Sequence, residues 1–301
     1  MSNIYEALKR AREEREGSAG SGPTARSPRE QTKDEGLVKL QEIFIEKSKD
    51  SVEPRKPTLL EVRGHRAIDD RLVAFTDPQS VPAEQFRKIR TVLSEFRIAK
   101  GCRSVMITST LPGEGKTLTA CNLGVTITQG LDDKAFLIDC DVRKPGVHHV
   151  FGLEGRPGLA EFLSGEKGLS QVVQEVEGLR LKVIPAGRGS DGPAELLSSN
   201  KMADFLENLR EKCPDHYIIL DATPVLSAAE TGALARMVDG IILMILAEHT
   251  SRDLVKRALK EIGKDKVIGL VANYGRSRAG YYSEQYHGYS YSVRSARTRK
   301  K

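Results

Sequence analysis

The segment Thr110-Leu111-Pro112-Gly113-Glu114-Gly115-Lys116-Thr117 carries the residue types that the phosphates of a nucleoside triphosphate require. Gly113 and Gly115 let successive backbone amides converge on anionic oxygens, and a helix starting behind them adds a favourable dipole. Lys116 offers a cation to the β- and γ-phosphates, and the Thr117 hydroxyl offers a ligand to Mg2+. The strict Walker A spacing asks for glycine where Thr110 stands. The order around it is right: an apolar strand enters, a glycine turn follows and a helix leaves. A chance glycine loop between strand and helix is the bland alternative.

Carboxylates end two further apolar runs. Ala135–Asp139 (AFLID) finishes on Asp139, with Asp141 and Arg143 just beyond, and Tyr217–Leu220 (YIIL) runs into Asp221. In open parallel sheets ligands collect at the carboxyl ends of strands. A lone Asp in such a place is ordinarily a turn or helix cap. Asp139, Asp141 and Asp221 together in one P-loop domain point to magnesium handling.

These residues need a scaffold, and alternating segments supply it. Strand-like runs are Ser104–Thr108, Ala135–Asp139, Leu181–Ile184, Tyr217–Leu220, Gly240–Ile245 and Val267–Ala272. Helical patterns cover Lys116 to about Thr128, Lys201–Lys212, Ala228–Met237 and Arg252–Ile262. On the second of these, Met202, Phe205, Leu206 and Leu209 share one face. The alternation predicts an α/β fold of P-loop NTPase type: a mainly parallel β-sheet flanked by helices, with an extended N-terminal region and a flexible C-terminal tail. Residues 1–17 read as an N-terminal helix capped by Ser2, with Ile4, Leu8 and Ala11 near one face. Residues 18–57 read as a flexible linker, 58–278 as the P-loop domain and 279–301 as a Tyr-rich basic tail.

Composition narrows the class. The longest apolar run, Ile241–Ala247, is far short of the roughly 20 residues that span a bilayer. No signal-like N-terminus opens the sequence. Cys102, Cys121, Cys140 and Cys213 lie far apart without a CxxC pair, which suits reduced, buried thiols in a cytoplasmic protein. The net charge is +6, and Arg294, Arg297, Arg299, Lys300 and Lys301 crowd the C-terminal end. Nearby, Tyr281, Tyr282, Tyr286, Tyr289 and Tyr291 sit among serines and glycines. By composition such a cluster suits a sticky low-complexity segment or RNA stacking.

From about Asp77 onward the chain resembles the bacterial tyrosine kinases (BY-kinases) that accompany capsular and exopolysaccharide assembly. The resemblance rests on TSTLPGEGKT, FLIDCDVRKPGVHHVFGL, RPGLAEFLSGE, VIPAGRG, PAELLSS and YIILDATPVL. It implies transfer of the γ-phosphoryl group of ATP to the tyrosines at 281–291, in trans. Lys116, Asp139 and Asp141 are then the catalytic candidates, with Asp139 accepting the tyrosine proton. Thr117, Asp141 and Asp221 would hold Mg2+, directly or through water. Pro112 to Leu118, with Arg143 and Asn273, would bind the nucleotide, Asn273 matching an adenine contact of related ATPases. His148 matches a further family position, where packing or capping is an equal reading. Glu84, Arg87 and Arg90 match the ExxRxxR motif for ring-like homo-oligomers; on a helix they share a face.

The resemblance also implies a membrane-embedded polysaccharide co-polymerase-type activator, a cognate phosphotyrosine phosphatase and recruitment to the inner face of the cell membrane, with no nucleic acid as partner. Three departures stand out: Thr110 in the loop, Asp-Ala-Thr-Pro at 221–224 in place of Asp-Thr-Pro-Pro, and Glu230 where the family commonly has Asp. Two other readings stay open. One is a nucleotide-dependent, non-catalytic adaptor of an export machine. The other is a MinD/ParA-like ATPase, whose signature lysine would stand at Leu111.

Overall fold

The computed structural model describes residues 68–130, 132–188 and 192–273. The expected N-terminal helix, the linker, the opening of the domain from residue 58 and the tyrosine-rich tail all lie outside the described residues. What is described falls within one compact unit.

Helices α1 (Val73–Thr76) and α2 (Val81–Lys100) lead into strand β1 (Ser104–Ser109), and the P-loop connects β1 to α3 (Lys116–Thr128). Then come β2 (Lys134–Asp139), short helices α4 (Val147–Phe151), α5 (Leu159–Ser164) and α6 (Leu169–Val172), a short β3 (Gln174–Glu175) and β4 (Leu181–Ile184). After α7 (Pro193–Leu197) and α8 (Asn200–Lys212), the chain alternates through β5 (His216–Asp221), α9 (Ala229–Met237), β6 (Gly240–Leu246), α10 (Arg252–Ile262) and β7 (Val267–Asn273). The sheet order is β3-β4-β2-β5-β1-β6-β7. Only β3 runs antiparallel.

Every residue of β1 and β5 is buried, which explains why these strands read as unbroken apolar runs without alternation. Helix α3 is buried from Thr119 to Thr128. It packs between α2 and the sheet, so it too lacks a polar stripe. Two ends of helices show local sequence logic. Ser80 caps α2 by accepting from the Ala83 amide, and Gly101 at φ +67° ends it. By contrast, α3 starts directly from Gly115 with no side-chain cap, leaving its first amides for a ligand.

The register delivers the chemistry. Asp139 pairs with Asp221 across β2 and β5, and Ile107 of β1 flanks Asp221 on the other side. The strand boundaries agree with the sequence reading to within a residue, and Asp221 is itself the last residue of β5. The short helices α4 to α7 and the antiparallel β3 have no counterpart in that reading. They are too few residues long to show a period, and buried side chains such as Val147, Leu159 and Val172 hold them in place. All four cysteines are buried and free.

Asp239 clips β1 onto the turn before β6. One carboxylate oxygen accepts from the Arg103 amide (3.0 Å), the Ser104 amide (2.8 Å) and the Ser104 hydroxyl (2.8 Å). Partial burial works against its charge, but these donors outweigh that and hold the carboxyl below the usual range. A depressed folded pKa stabilises the fold above the unfolded value and is lost as pH falls through the folded one. Asp239→Asn is therefore expected to cost about 1 kcal/mol at neutral pH, with the gap to wild type closing below about pH 4. Denaturant midpoints across pH 3–7 check this.

Candidate active site

The P-loop is shaped by two left-handed glycines, Gly113 at φ +86° and Gly115 at φ +90°. At its start, the Thr110 amide donates to Met244 O at 3.2 Å. Between the glycines, Glu114 turns inward and is buried. One carboxylate oxygen accepts from the Leu111 amide at 2.9 Å, and the other accepts from the Thr250 hydroxyl. The Glu114 carbonyl accepts from Asn273 Nδ2 at 3.1 Å. A Cβ on Gly115 would sit 2.2 Å from that same nitrogen, so Asn273 lies directly against the loop. Pro112 and Gly113 are exposed at the loop crest. The side chain of Leu118 packs on the core cluster, leaving only its backbone for a ligand.

Lys116 extends into a cluster of carboxylates. Its Nζ lies 2.7 Å from Asp141 Oδ2, 3.6 Å from Asp221 Oδ1 and 3.1 Å from Thr117 Oγ1. Burial opposes its charge, but Asp221 and Asp141 outweigh burial and raise its pKa. Asp141 also accepts from the Lys144 amide at 3.0 Å, which shapes the turn after β2.

Asp139 and Asp221 are fully buried. Burial, then the neighbouring Asp221, pushes the Asp139 carboxyl up to about 8, against the pull of the Val147 and Gly146 amides. Those amides donate to Oδ2 at 3.1 and 3.0 Å, and the Asp141 amide donates to Oδ1 at 3.1 Å. Asp139 thus holds the turn that presents Asp141 and starts α4. Burial also raises Asp221, with Lys116 and Thr117 opposing it. Among the described residues neither oxygen of Asp221 accepts a hydrogen bond, the Lys116 ammonium standing 3.6 Å from Oδ1.

These orphaned oxygens, with Asp141 and the Thr117 hydroxyl, form a set of hard oxygen donors that fits Mg2+. No cluster of three or more His, Cys, Asp or Glu arranged to hold a metal occurs among the described residues.

Arg143 stands at the rim with its head half-exposed, and its Nε donates to the buried Glu230 at 2.6 Å. The longer acid at position 230 is thereby paired. The Asp-Ala-Thr-Pro segment is equally well fixed: the Ala222 amide donates to Ile107 O at 2.9 Å. The Thr223 carbonyl accepts from the Thr108 and Thr231 hydroxyls at 2.7 and 2.9 Å. The His148 ring is tilted against that of His149 with centroids 3.9 Å apart and lies against Gly155.

On α2, Arg87 pairs with Glu84 at 2.6 Å and donates to Pro78 O at 2.7 Å. Arg90 donates to Thr126 O at 2.9 Å, in the last turns of α3. All three have partners within the chain. Two groups near the site escaped the sequence reading. One is Thr250, in a turn with no motif of its own. The other is Glu161, whose buried carboxylate accepts from the Gly158 amide at 2.8 Å and the Arg188 amide at 2.9 Å. An acid three residues after a glycine that opens a helix is the signal that would have found Glu161.

No family model matches the chain. Tyrosine-protein kinase YwqD of Bacillus subtilis (strain 168) is 36% identical over 227 residues, covering 73% of this chain and 94% of the relative. Putative tyrosine-protein kinase CapB of Staphylococcus aureus is 32% identical over 206 residues, covering 67% of this chain and 88% of the relative. The crystal structure of the chimerical protein CapA2B2 superposes with a TM-score of 0.63 at 27% identity, over 68% of this chain and 89% of that one. With the P-loop, the lysine among carboxylates and the parallel sheet already in place, these relatives settle the class: the chain belongs to the bacterial tyrosine kinase (BY-kinase) family.

Proposed function

We propose that this chain is an ATP-dependent protein-tyrosine autokinase acting in capsular or exopolysaccharide production, and that it phosphorylates the cluster Tyr281 to Tyr291 of a second copy of itself. The observation that carries this reading is the placing of Lys116 between Asp141 and Asp221, directly behind two left-handed glycines. A phosphoryl transfer needs little covalent help from the protein, so positioning and charge supply the catalysis.

The amides of the P-loop would cradle the phosphates, and Lys116 would stabilise the charge that builds on the β- and γ-oxygens. Magnesium, held by Thr117, Asp141 and Asp221, would draw off further phosphate charge. Asp139 would take the proton of the tyrosine hydroxyl. Its Oδ2 already accepts two backbone amides, while Oδ1 accepts one and keeps a second lone pair for a phenol. Asn273, packed on the loop, would border the base, and Arg143 the phosphates.

The partners follow from the family. A membrane-embedded polysaccharide co-polymerase-type protein would activate the chain at the cytoplasmic face of the membrane, and a phosphotyrosine phosphatase would reset it. Among the described residues no helix is long and apolar enough to cross a membrane. Glu84, Arg87 and Arg90 would join subunits in a ring once their present partners exchange. Mass spectrometry of the full chain expressed with its activator tests the reading. Phosphate is expected on several of Tyr281, Tyr282, Tyr286, Tyr289 and Tyr291, and lost in Asp139→Asn. Unmodified tyrosines in the activated wild type would favour the adaptor.

A further inference from the structure

Thr250 lies outside every motif of this chain, in the turn that follows β6. Its amide donates to Leu246 O at 2.9 Å, and its hydroxyl accepts from the Leu246 amide at 3.0 Å. Strand β6 therefore fixes where that hydroxyl sits, and the pairing of Ser109 with Met244 fixes β6 beside the strand that feeds the P-loop. The hydroxyl proton goes to Glu114, whose other oxygen takes the Leu111 amide. One buried carboxylate thus ties the entry of the phosphate loop to a neighbouring strand end.

The loop needs such a tie. Glu114 is flanked by the two glycines at positive φ, and glycine gives the backbone the widest range of alternative conformations. A loop that samples those alternatives must be ordered by its ligand, and the ordering is taken from the affinity. We infer that Thr250 is a positioning residue for nucleotide binding: its hydroxyl, acting through Glu114, holds the phosphate loop in its ligand-ready curvature. The inference rests on the reading of residues 110–117 as the phosphate site and names a regulator of its affinity. Among the described residues Thr250 reaches the loop through the Glu114 side chain, so its loss weakens nucleotide binding and leaves the transfer step intact.

The test is binding of magnesium and ADP to the full chain by titration calorimetry, with ATP-dependent tyrosine phosphorylation alongside. Thr250→Val keeps the shape and removes the hydroxyl. It is expected to raise the ADP Kd about ten- to hundredfold, the range set by a hydrogen bond to a charged group. KM for ATP rises with it, while kcat at saturating ATP stays within about threefold. Thr250→Ser retains donor and acceptor and is expected to bind within about threefold of wild type. Glu114→Gln gives a second route should the valine variant fail to fold. It keeps one acceptor oxygen of the two and is expected to weaken ADP by a similar factor. Combined with Thr250→Val, the losses should be less than multiplicative, since both act through one carboxylate. Valine binding within about twofold of wild type, serine as impaired as valine, or fully multiplicative losses each overturn the inference. If the wild type itself fails to bind ADP, the phosphate-site reading falls and takes this inference with it. If the wild type binds and the variants are indifferent, this inference alone fails.

Discussion

Lys116→Met is expected to lower phosphoryl transfer to tyrosine by at least about a thousandfold, because one charged donor aimed at developing phosphate charge is worth that much or more in a water-excluded site. Methionine keeps the aliphatic stem and removes only the ammonium that now lies 2.7 Å from Asp141 and 3.6 Å from Asp221. The substitution therefore tests charge, with packing held nearly constant. It also leaves Asp139, Asp141 and Asp221 facing each other without their cation. Buried like charges respond by binding protons, and Asp139 is already pushed up to about 8. A raised folded pKa makes a carboxyl bind more protons folded than unfolded, so stability falls as pH rises toward it. The variant should thus be folded but inactive near pH 6–7, and lose stability faster than wild type toward pH 9. Phosphotyrosine formation against ATP, with thermal unfolding across that pH range, checks both halves. Activity within tenfold of wild type would remove Lys116 from the mechanism.

The convergence behind that prediction was legible from sequence because it depends on two short-range rules. Apolar runs ending in Asp139 and Asp221 had to be strands, and strands of a parallel sheet present their carboxyl ends together. The Asp139–Asp221 pairing is that rule realised in register. The helix after Lys116 was legible too, read as running to about Thr128 and observed as Lys116–Thr128, since a glycine loop starts it. What stayed hidden depends on distant returns of the chain. Glu114 reads as a phosphate contact in the motif, yet its side chain turns away to Leu111 and Thr250. Arg90 reads as an oligomer contact, yet it reaches Thr126 on the neighbouring helix. Asp139 reads as a proton acceptor, and sequence gives no sign that three amides from its own loop close on it. None of these partners lies at a spacing that periodicity or a motif encodes. They follow only once the sheet has brought the segments together.

Gly158→Ala should be among the most destabilising single-methyl additions to this chain, and the reason lies in that same tertiary closure. The Gly158 backbone is extended, at φ −149°, a conformation any residue adopts, so no strain argument applies. The obstacle is space. A Cβ there would lie 2.3 Å from both Gly187 N and Pro185 O, and backbone atoms have no rotamer with which to yield. The segment they belong to follows β4, whose Ile184 pairs with Ile138 beside the Asp139 end of β2. The start of α5 is laced to it: the Leu159 amide donates to Pro185 O at 2.7 Å and the Ala160 amide to Ala186 O at 2.9 Å. Glu161 closes the joint through the Gly158 and Arg188 amides. An added methyl must part these segments, losing hydrogen bonds worth about 1 kcal/mol each on top of about 1–3 kcal/mol of overpacking. The expected loss is about 3–5 kcal/mol in denaturant-derived stability. Gly232→Ala is the matched control, because nothing lies within 4 Å of its Cβ position and α9 should gain up to about 1 kcal/mol from the better helix former. A Gly158→Ala protein within 1 kcal/mol of wild type would mean that α5 and the segment after β4 can separate at little cost, and that Glu161 alone does not hold this side of the site closed.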